Sequence, residues 1–279
     1  MREKDKIVAD ISANSHDFSP IASLSRSNIA LARFGPLVRK GMRFRRRFED
    51  AKRSIEPVPF EWYRYDSFPN LFYLQHLLKC SSVSLQEILA NGPVLDIGAA
   101  DGALSFFWES LGSRVHAVDF SGCNINRMQG LRRLAAHLGS RVEIQDIDLD
   151  GRFDLARQYG VVFFLGTLYH LKNPFYALET IARHARYCFL STRVARLSAD
   201  RHTRLDSVPV AYLLESAECN GDTTNYFVFS PMGLMVLVKR AGWIVRGSVT
   251  SGAFDSDPIT PQGDERMFLL LESTALAAE

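Results

Sequence analysis

The sequence predicts an α/β fold, a seven-stranded sheet with helices on both faces and an antiparallel last strand. Two observations carry this. From Pro93 onward, runs rich in β-branched and aromatic residues alternate with segments of helical periodicity. Acids also fall at three successive strand ends: Asp96, Asp119, and Asp146 with Asp148.

Composition bounds the rest. A chain of 279 residues, 47% hydrophobic and 23% charged, is long enough for one large domain with a sizeable core. No stretch is apolar for long enough to predict a transmembrane helix. The first residues, MREKDKIVADISANSHDF, lack the apolar run of a signal peptide. Cys80, Cys123, Cys188 and Cys219 are scattered, with no CxxC pair and no histidine at ligand spacing. They predict reduced thiols, a cytoplasmic location and no metal site.

Residues 1–55 read as a basic N-terminal arm, partly disordered in one reading, and 56–279 as the catalytic domain. Between positions 26 and 53 ten basic residues face only Glu49 and Asp50, a net +8 in a chain whose total is +2. The interleaved Phe34, Leu37, Val38, Met42, Phe44 and Phe48 do not read as one clean helical stripe. Such an arm suits RNA phosphates, anionic lipid, an acidic partner or plain solvation. Prolines and aromatics in SIEPVPFEWYRYDSFPN predict irregular backbone. Helical spacing follows over 71–80, and Ser84 with Glu87 forms a capping-box pattern. Strands are predicted over 93–97, 113–119, 141–145, 160–165, 187–193, 243–250 and 266–272. Helices are expected near 102–111, 124–138, 174–185 and 230–241. The 194–229 stretch is too long for an ordinary connection and predicts a lid or substrate wall.

The turn DIGAADG points to a nucleotide. Gly98 removes a Cβ where the backbone must turn or admit a ligand, and Gly102 lets the next helix start close to the sheet. Asp119 can accept both hydroxyls of a ribose, and Asp146 or Asp148 could accept from an adenine amino group. A dinucleotide fold wants GxGxxG facing a pyrophosphate, but this turn carries Asp96 and Asp101, which suit a cation instead. The absence of GKS or GKT excludes a P-loop.

The turn resembles the first motif of the class I methyltransferases dependent on S-adenosylmethionine (SAM), through Asp96, Gly98 and Gly102, with Ala100 at the middle glycine. Resemblance to that superfamily implies a Rossmann-like sheet and SAM as cofactor. Gly166, Leu168, Tyr169, His170 and Pro174 are similar to the fourth motif of one branch, which holds the tRNA wobble-uridine carboxymethyltransferases and related 5-methoxyuridine-type enzymes. Residues 225–243 and 265–273 resemble the same branch, with Arg266 where an arginine reaches the cofactor. The carboxymethyl enzymes place a lysine just before a Pro-Phe pair, whereas Pro57 and Val58 precede Pro59-Phe60 here. Ordinary methyl transfer is therefore favoured, since a buried carboxylate without a partner is costly.

The expected cofactor contacts are thus Asp96, Gly98, Ala100, Gly102, Asp119, Asp146, Asp148, Gly166 and Arg266. His170 is the candidate base for a hydroxyl acceptor, or it simply supports the turn before Pro174. Tyr169 orients the acceptor or the cofactor carboxylate, or walls the pocket. Trp62, Tyr63 and Tyr65 close over the cofactor or join the core. Tyr212, Glu215, Asn225 and Tyr226 are substrate-wall candidates. The expected activity is methyl transfer to oxygen or nitrogen of a small-molecule or glycan acceptor. The alternatives are modification of a tRNA wobble uridine through the basic arm, and a silent SAM-binding module. The sequence leaves oligomeric state open.

Overall fold

The computed structural model describes residues 22–23, 35–216, 218–260 and 264–276. The remaining residues, including 1–21 and 24–34 of the basic segment, lie outside that description.

A single sheet holds every strand among the described residues. Its strands are β1 (Ala22–Ser23), β2 (Val94–Ile97), β3 (Val115–Asp119), β4 (Glu143–Asp146), β5 (Tyr159–Leu165), β6 (Ala185–Val194), β7 (Ala211–Leu213), β8 (Phe227–Phe229), β9 (Trp243–Gly252) and β10 (Glu265–Ser273). The order across the sheet is β1-β9-β10-β6-β5-β2-β3-β4. β2 through β6 run parallel, and β10 runs antiparallel to both neighbours, β6 and β9. This is the seven-stranded Rossmann-like arrangement expected, with the two-residue β1 added at one edge.

Alternation along the strands builds two cores. Val161 and Phe163 of β5, Tyr187 and Phe189 of β6, and Phe268 and Leu270 of β10 face one side. Val162 and Phe164, Cys188 and Leu190, and Met267, Leu269 and Leu271 face the other. A strand buried on both faces must be apolar nearly throughout, which is why these runs read continuously.

The first face is covered by α1 (Pro36–Ser54), α2 (Asn70–Cys80), α3 (Leu85–Ala90), α4 (Ala103–Ser110) and α5 (Gln129–Leu138). The second is covered by α6 (Pro174–His184) and α7 (Pro231–Arg240). Ser84 caps α3 by accepting from the Glu87 amide at 3.0 Å. The Glu87 carboxylate accepts instead from the Tyr187 hydroxyl at 2.5 Å, so it is spent on the sheet.

α1 differs from the sequence reading of its side chains. Leu37, Val38, Gly41, Phe48, Ala51 and Lys52 are buried, with Phe44 packed beside them, which is a stripe at three- and four-residue spacing. Met42 also packs, partly buried, against this core, and Phe34 lies outside the described residues. Pro36 starts the helix, and Gln75 of α2 accepts from the Leu37 amide at 3.2 Å, filling one of the free donors of its first turn. Arg39, Lys40, Arg43, Arg46 and Arg47 remain on the exposed side.

The 194–229 segment contributes the β7–β8 hairpin, and β8 extends the sheet beside the end of β6 through Val194 and Phe229. Arg196 ties the segment down, binding Glu265 at 2.8 Å and Asp206 at 2.9 Å.

Candidate functional site

The carboxyl ends of β2, β3, β4 and β5 lie side by side, and the turns leaving them form one rim. Gly98 and Gly102 shape the first turn, with φ of +71° and +85°. A Cβ on Gly98 would stand 2.2 Å from the Thr167 hydroxyl oxygen, across the rim on the turn leaving β5. One on Gly102 would strike Leu131 at 2.5 Å, so this glycine seats α4 against α5. Ala100 lies between them, also at positive φ.

The acids divide by environment. Asp119 ends β3 half-buried; its Oδ2 accepts from the Ala100 amide at 2.7 Å and its Oδ1 from the Phe120 amide at 2.8 Å. Burial raises its carboxyl above the usual range, against the pull of those two amides. Asp96 is 5% exposed and accepts from the Ser105 hydroxyl at 2.5 Å. Burial first, then the Asp119 charge, push Asp96 up to about 6, with Ser105 opposing. Asp146 pairs in register with Asp119 and is exposed; hydrogen bonds from Ser121 hold it below the usual range. Asp148 is exposed and accepts from the Asp150 amide at 2.9 Å within its own turn.

Asp101 does not join them as a carboxylate facing a cationic ligand. It is 2% exposed and pairs with Lys52 of α1 at 2.9 Å. It also accepts from the Tyr63 amide and from Asn126, both at 2.8 Å. Nothing in the sequence distance between Lys52 and Asp101 announces the pair.

The three aromatics of FEWYRY go separate ways. Trp62 lies against Lys52, whose Nζ is 5.0 Å from its ring. The Tyr63 hydroxyl accepts from the Ile125 amide at 3.2 Å, and burial, with Asp119 and Asp101 adding, raises its phenol to about 12. The Tyr65 ring lies 5.9 Å from the Arg266 guanidinium.

On the β5 side, a single 3-10 turn, Leu168–His170, follows Gly166. Arg266 of β10 reaches this turn, donating to the Tyr169 hydroxyl at 3.3 Å, with its guanidinium 5.6 Å from that ring. A Cβ on Gly166 would stand 3.4 Å from the Arg266 Nη1, which places glycine, tyrosine and arginine together. The Tyr169 and His170 rings touch, with centroids 4.2 Å apart. His170 Nδ1 is 2.9 Å from Thr224 Oγ1 and 3.2 Å from the Thr224 carbonyl oxygen. Burial lowers its imidazole below the ordinary value, with Arg266 adding and Asp222 opposing.

Of the wall candidates, Tyr226 comes to this place: its amide donates to the Tyr169 carbonyl at 2.8 Å. Tyr212 donates to Glu218 at 2.9 Å and is thus engaged within the insertion; the Glu215 amide donates to the same carboxylate, while Glu215 itself is exposed. Asn225 is buried and donates to the Cys219 carbonyl at 3.1 Å.

Residues 95–187, which contain the first turn, the three strand-end acids and His170, match a family model described as "Methyltransferase domain". This segment is similar to a methyltransferase domain. A methyltransferase is an enzyme, and the methyl donor that the resemblance of the first turn implies is SAM. Solved structures similar to the chain include the N-terminal domain of EvdMO1 with S-adenosylhomocysteine (SAH) bound, at 16% identity and TM-score 0.49, covering 82% of this chain and 96% of that one. The glycopeptide N-methyltransferase MtfA complexed with SAH aligns at 16% identity and TM-score 0.45, covering 65% of this chain and 83% of that one. The CcbJ methyltransferase from Streptomyces caelestis aligns at 16% identity and TM-score 0.45, covering 67% and 86%. Among curated proteins, no sequence matches the chain.

The residues of the matched segment fit that cofactor on two counts. The backbone of Gly98 lies where a side chain would close the gap to Thr167. Asp119 has one backbone donor on each oxygen, with the Asn124 side chain beside it, so the carboxylate keeps acceptor capacity for a diol. No helix among the described residues is long and apolar enough to cross a membrane.

Proposed function

We propose that the chain transfers the methyl group of SAM to an oxygen or nitrogen of a small-molecule or glycan acceptor. The observation that carries this reading is Asp119, held by two backbone amides over the Gly98–Gly102 turn at the end of β3. In it, Asp119 accepts the ribose hydroxyls, and the backbone from Gly98 to Gly102 accommodates the amino-acid portion near Asp96. Asp146 is favoured over Asp148 for the adenine amino group, because it is the register neighbour of Asp119 whereas Asp148 is engaged in its own turn. Gly166 and Arg266 complete the cofactor side, and Tyr169, which accepts from Arg266, stands between them and the acceptor. SAM, when bound, supplies a methyl group on a sulfonium, and transfer is an in-line displacement that depends on alignment in a dry site. His170, half-buried beside Tyr169, is the base for an acceptor that must lose a proton.

A second reading, modification of a tRNA wobble uridine, is favoured by one observation: α1 exposes Arg39, Lys40, Arg43, Arg46 and Arg47 along its outer side. Both readings meet one experiment. The protein is incubated with methyl-tritiated SAM and separate RNA, glycan, lipid and small-molecule fractions. Label in the small-molecule or glycan fraction supports the first reading, and label in RNA the second. SAM binding with no label anywhere leaves a silent binding module.

A further inference from the structure

The insertion segment holds His170 from one side only. Thr224 Oγ1 donates to Asp222 Oδ1 at 2.6 Å, and the Thr224 amide donates to the same oxygen at 2.9 Å. The hydroxyl proton of Thr224 is therefore committed to Asp222, and towards His170 Oγ1 is only an acceptor. The second neighbour of Nδ1, the Thr224 carbonyl, can only accept as well. Two acceptors at one ring nitrogen require that nitrogen to carry the proton. No described residue hydrogen-bonds the other nitrogen, Nε2.

We propose that Asp222 and Thr224 are positioning residues that hold neutral His170 as the Nδ1–H tautomer, leaving the Nε2 lone pair to take a proton from a hydroxyl acceptor. This rests on the reading of His170 as the base and narrows it to acceptors with an O–H to lose. The step balances as follows. Nε2 takes the hydroxyl proton while the acceptor oxygen forms a bond to the methyl carbon. The carbon–sulfur bond breaks and its electron pair stays on sulfur, giving a neutral thioether and an O-methyl product. The imidazolium then returns its proton to solvent. Asp222, two hydrogen bonds from the ring, favours the imidazolium, whereas Arg266 of β10 opposes it. Tyr169, in ring contact, and Thr224 are the other groups against the ring. An orienting acid behind a histidine is a recurring arrangement for a general base; here a threonine hydroxyl stands between them.

The test reads the ring directly and needs no acceptor. Nitrogen-15 NMR of the full chain, labelled in histidine, is recorded across pH for the parent and four variants, with His170→Gln used to assign the signal. The parent should show a protonated Nδ1 and an unprotonated Nε2 in the neutral form. Asp222→Asn keeps an acceptor for the Thr224 hydroxyl, so the tautomer should persist while the imidazole titrates at lower pH. Asp222→Ala frees that hydroxyl to donate to Nδ1, so the Nε2–H form should appear. Thr224→Val should keep Nδ1–H through the carbonyl alone, and Thr224→Ser should match the parent. A parent with Nε2–H, or an Asp222→Ala variant identical to it in tautomer and titration, overturns the proposal. Failure of the base reading is seen separately: His170→Gln would then leave label transfer from tritiated SAM unchanged in the fraction that accepts it.

Discussion

Lys52 of α1 and Asp101 of the first glycine turn form a buried ion pair, 2.9 Å apart, with side chains 10% and 3% exposed. The pair joins the basic N-terminal helix to the backbone of the proposed cofactor turn, since Asp101 is followed directly by Gly102. Phe48 and Trp62 stand on either side of the ammonium, 4.9 Å and 5.0 Å from it.

Replacing Lys52 by Met leaves a buried carboxylate without its counter-charge, and the expected loss of stability is about 3–5 kcal/mol. Chemical denaturation measures it. Adding Asp101→Asn to Lys52→Met should recover much of that loss, because the stranded charge is then gone. Deleting residues 1–54 should be worse than either, since Leu37, Val38, Phe48 and Ala51 leave the core with the helix. If the deletion melts like the parent, α1 is a dispensable arm.

Asp96 makes stability depend on pH. Its carboxyl is raised to about 6 in the fold, from an ordinary 3.8, so the folded state holds the proton more tightly than the unfolded one. The contribution is fully present below about pH 4 and is lost as pH rises through about 6, on the order of 3 kcal/mol at 1.36 kcal/mol per unit. Asp96→Asn mimics the protonated group and should lack that slope, so its advantage over the parent grows between pH 4 and 7. Denaturation midpoints of both proteins across this range, without SAM, provide the comparison. Parallel curves would mean that Asp96 is an ordinary carboxylate.

The exposed side of α1 gives a separate prediction. If it contacts RNA phosphates, affinity for RNA should fall steeply with salt, and changing Arg39, Arg43 and Arg46 to Gln should flatten that slope. These side chains are exposed, so the melting temperature should hardly move. Salt-independent binding, or none, removes RNA as the substrate.

The sheet was legible because its central strands, β2, β5, β6 and β10, are buried on both faces and its turns carry glycines where the chain reverses. Each of the seven strands and the four helices between them lies within a few residues of its expected place. The place of Asp119 at the end of β3 was legible because the apolar run before it has strand character and stops there. The Lys52–Asp101 pair was not, since forty-nine residues separate its members. Nor was the link from His170 to Thr224, fifty-four residues away, which depends on how the insertion folds back beside the 3-10 turn. Asp222 carries no signal in sequence, for an acid followed two residues later by Thr reads as an ordinary loop turn. Tyr212 has wall-forming chemistry in sequence, but the insertion uses its hydroxyl internally.

Calorimetric titration of SAM and SAH into the parent and Asp119→Ala tests the account most directly. The variant loses paired bonds from a charged acceptor, each worth about 1.5–3 kcal/mol, so SAM affinity should fall by at least tenfold. NADH should not displace SAM from the parent, because its pyrophosphate has no glycine-lined cradle here. Unchanged SAM affinity in a folded Asp119→Ala protein would contradict the placement of the ribose, and with it the site built around that turn.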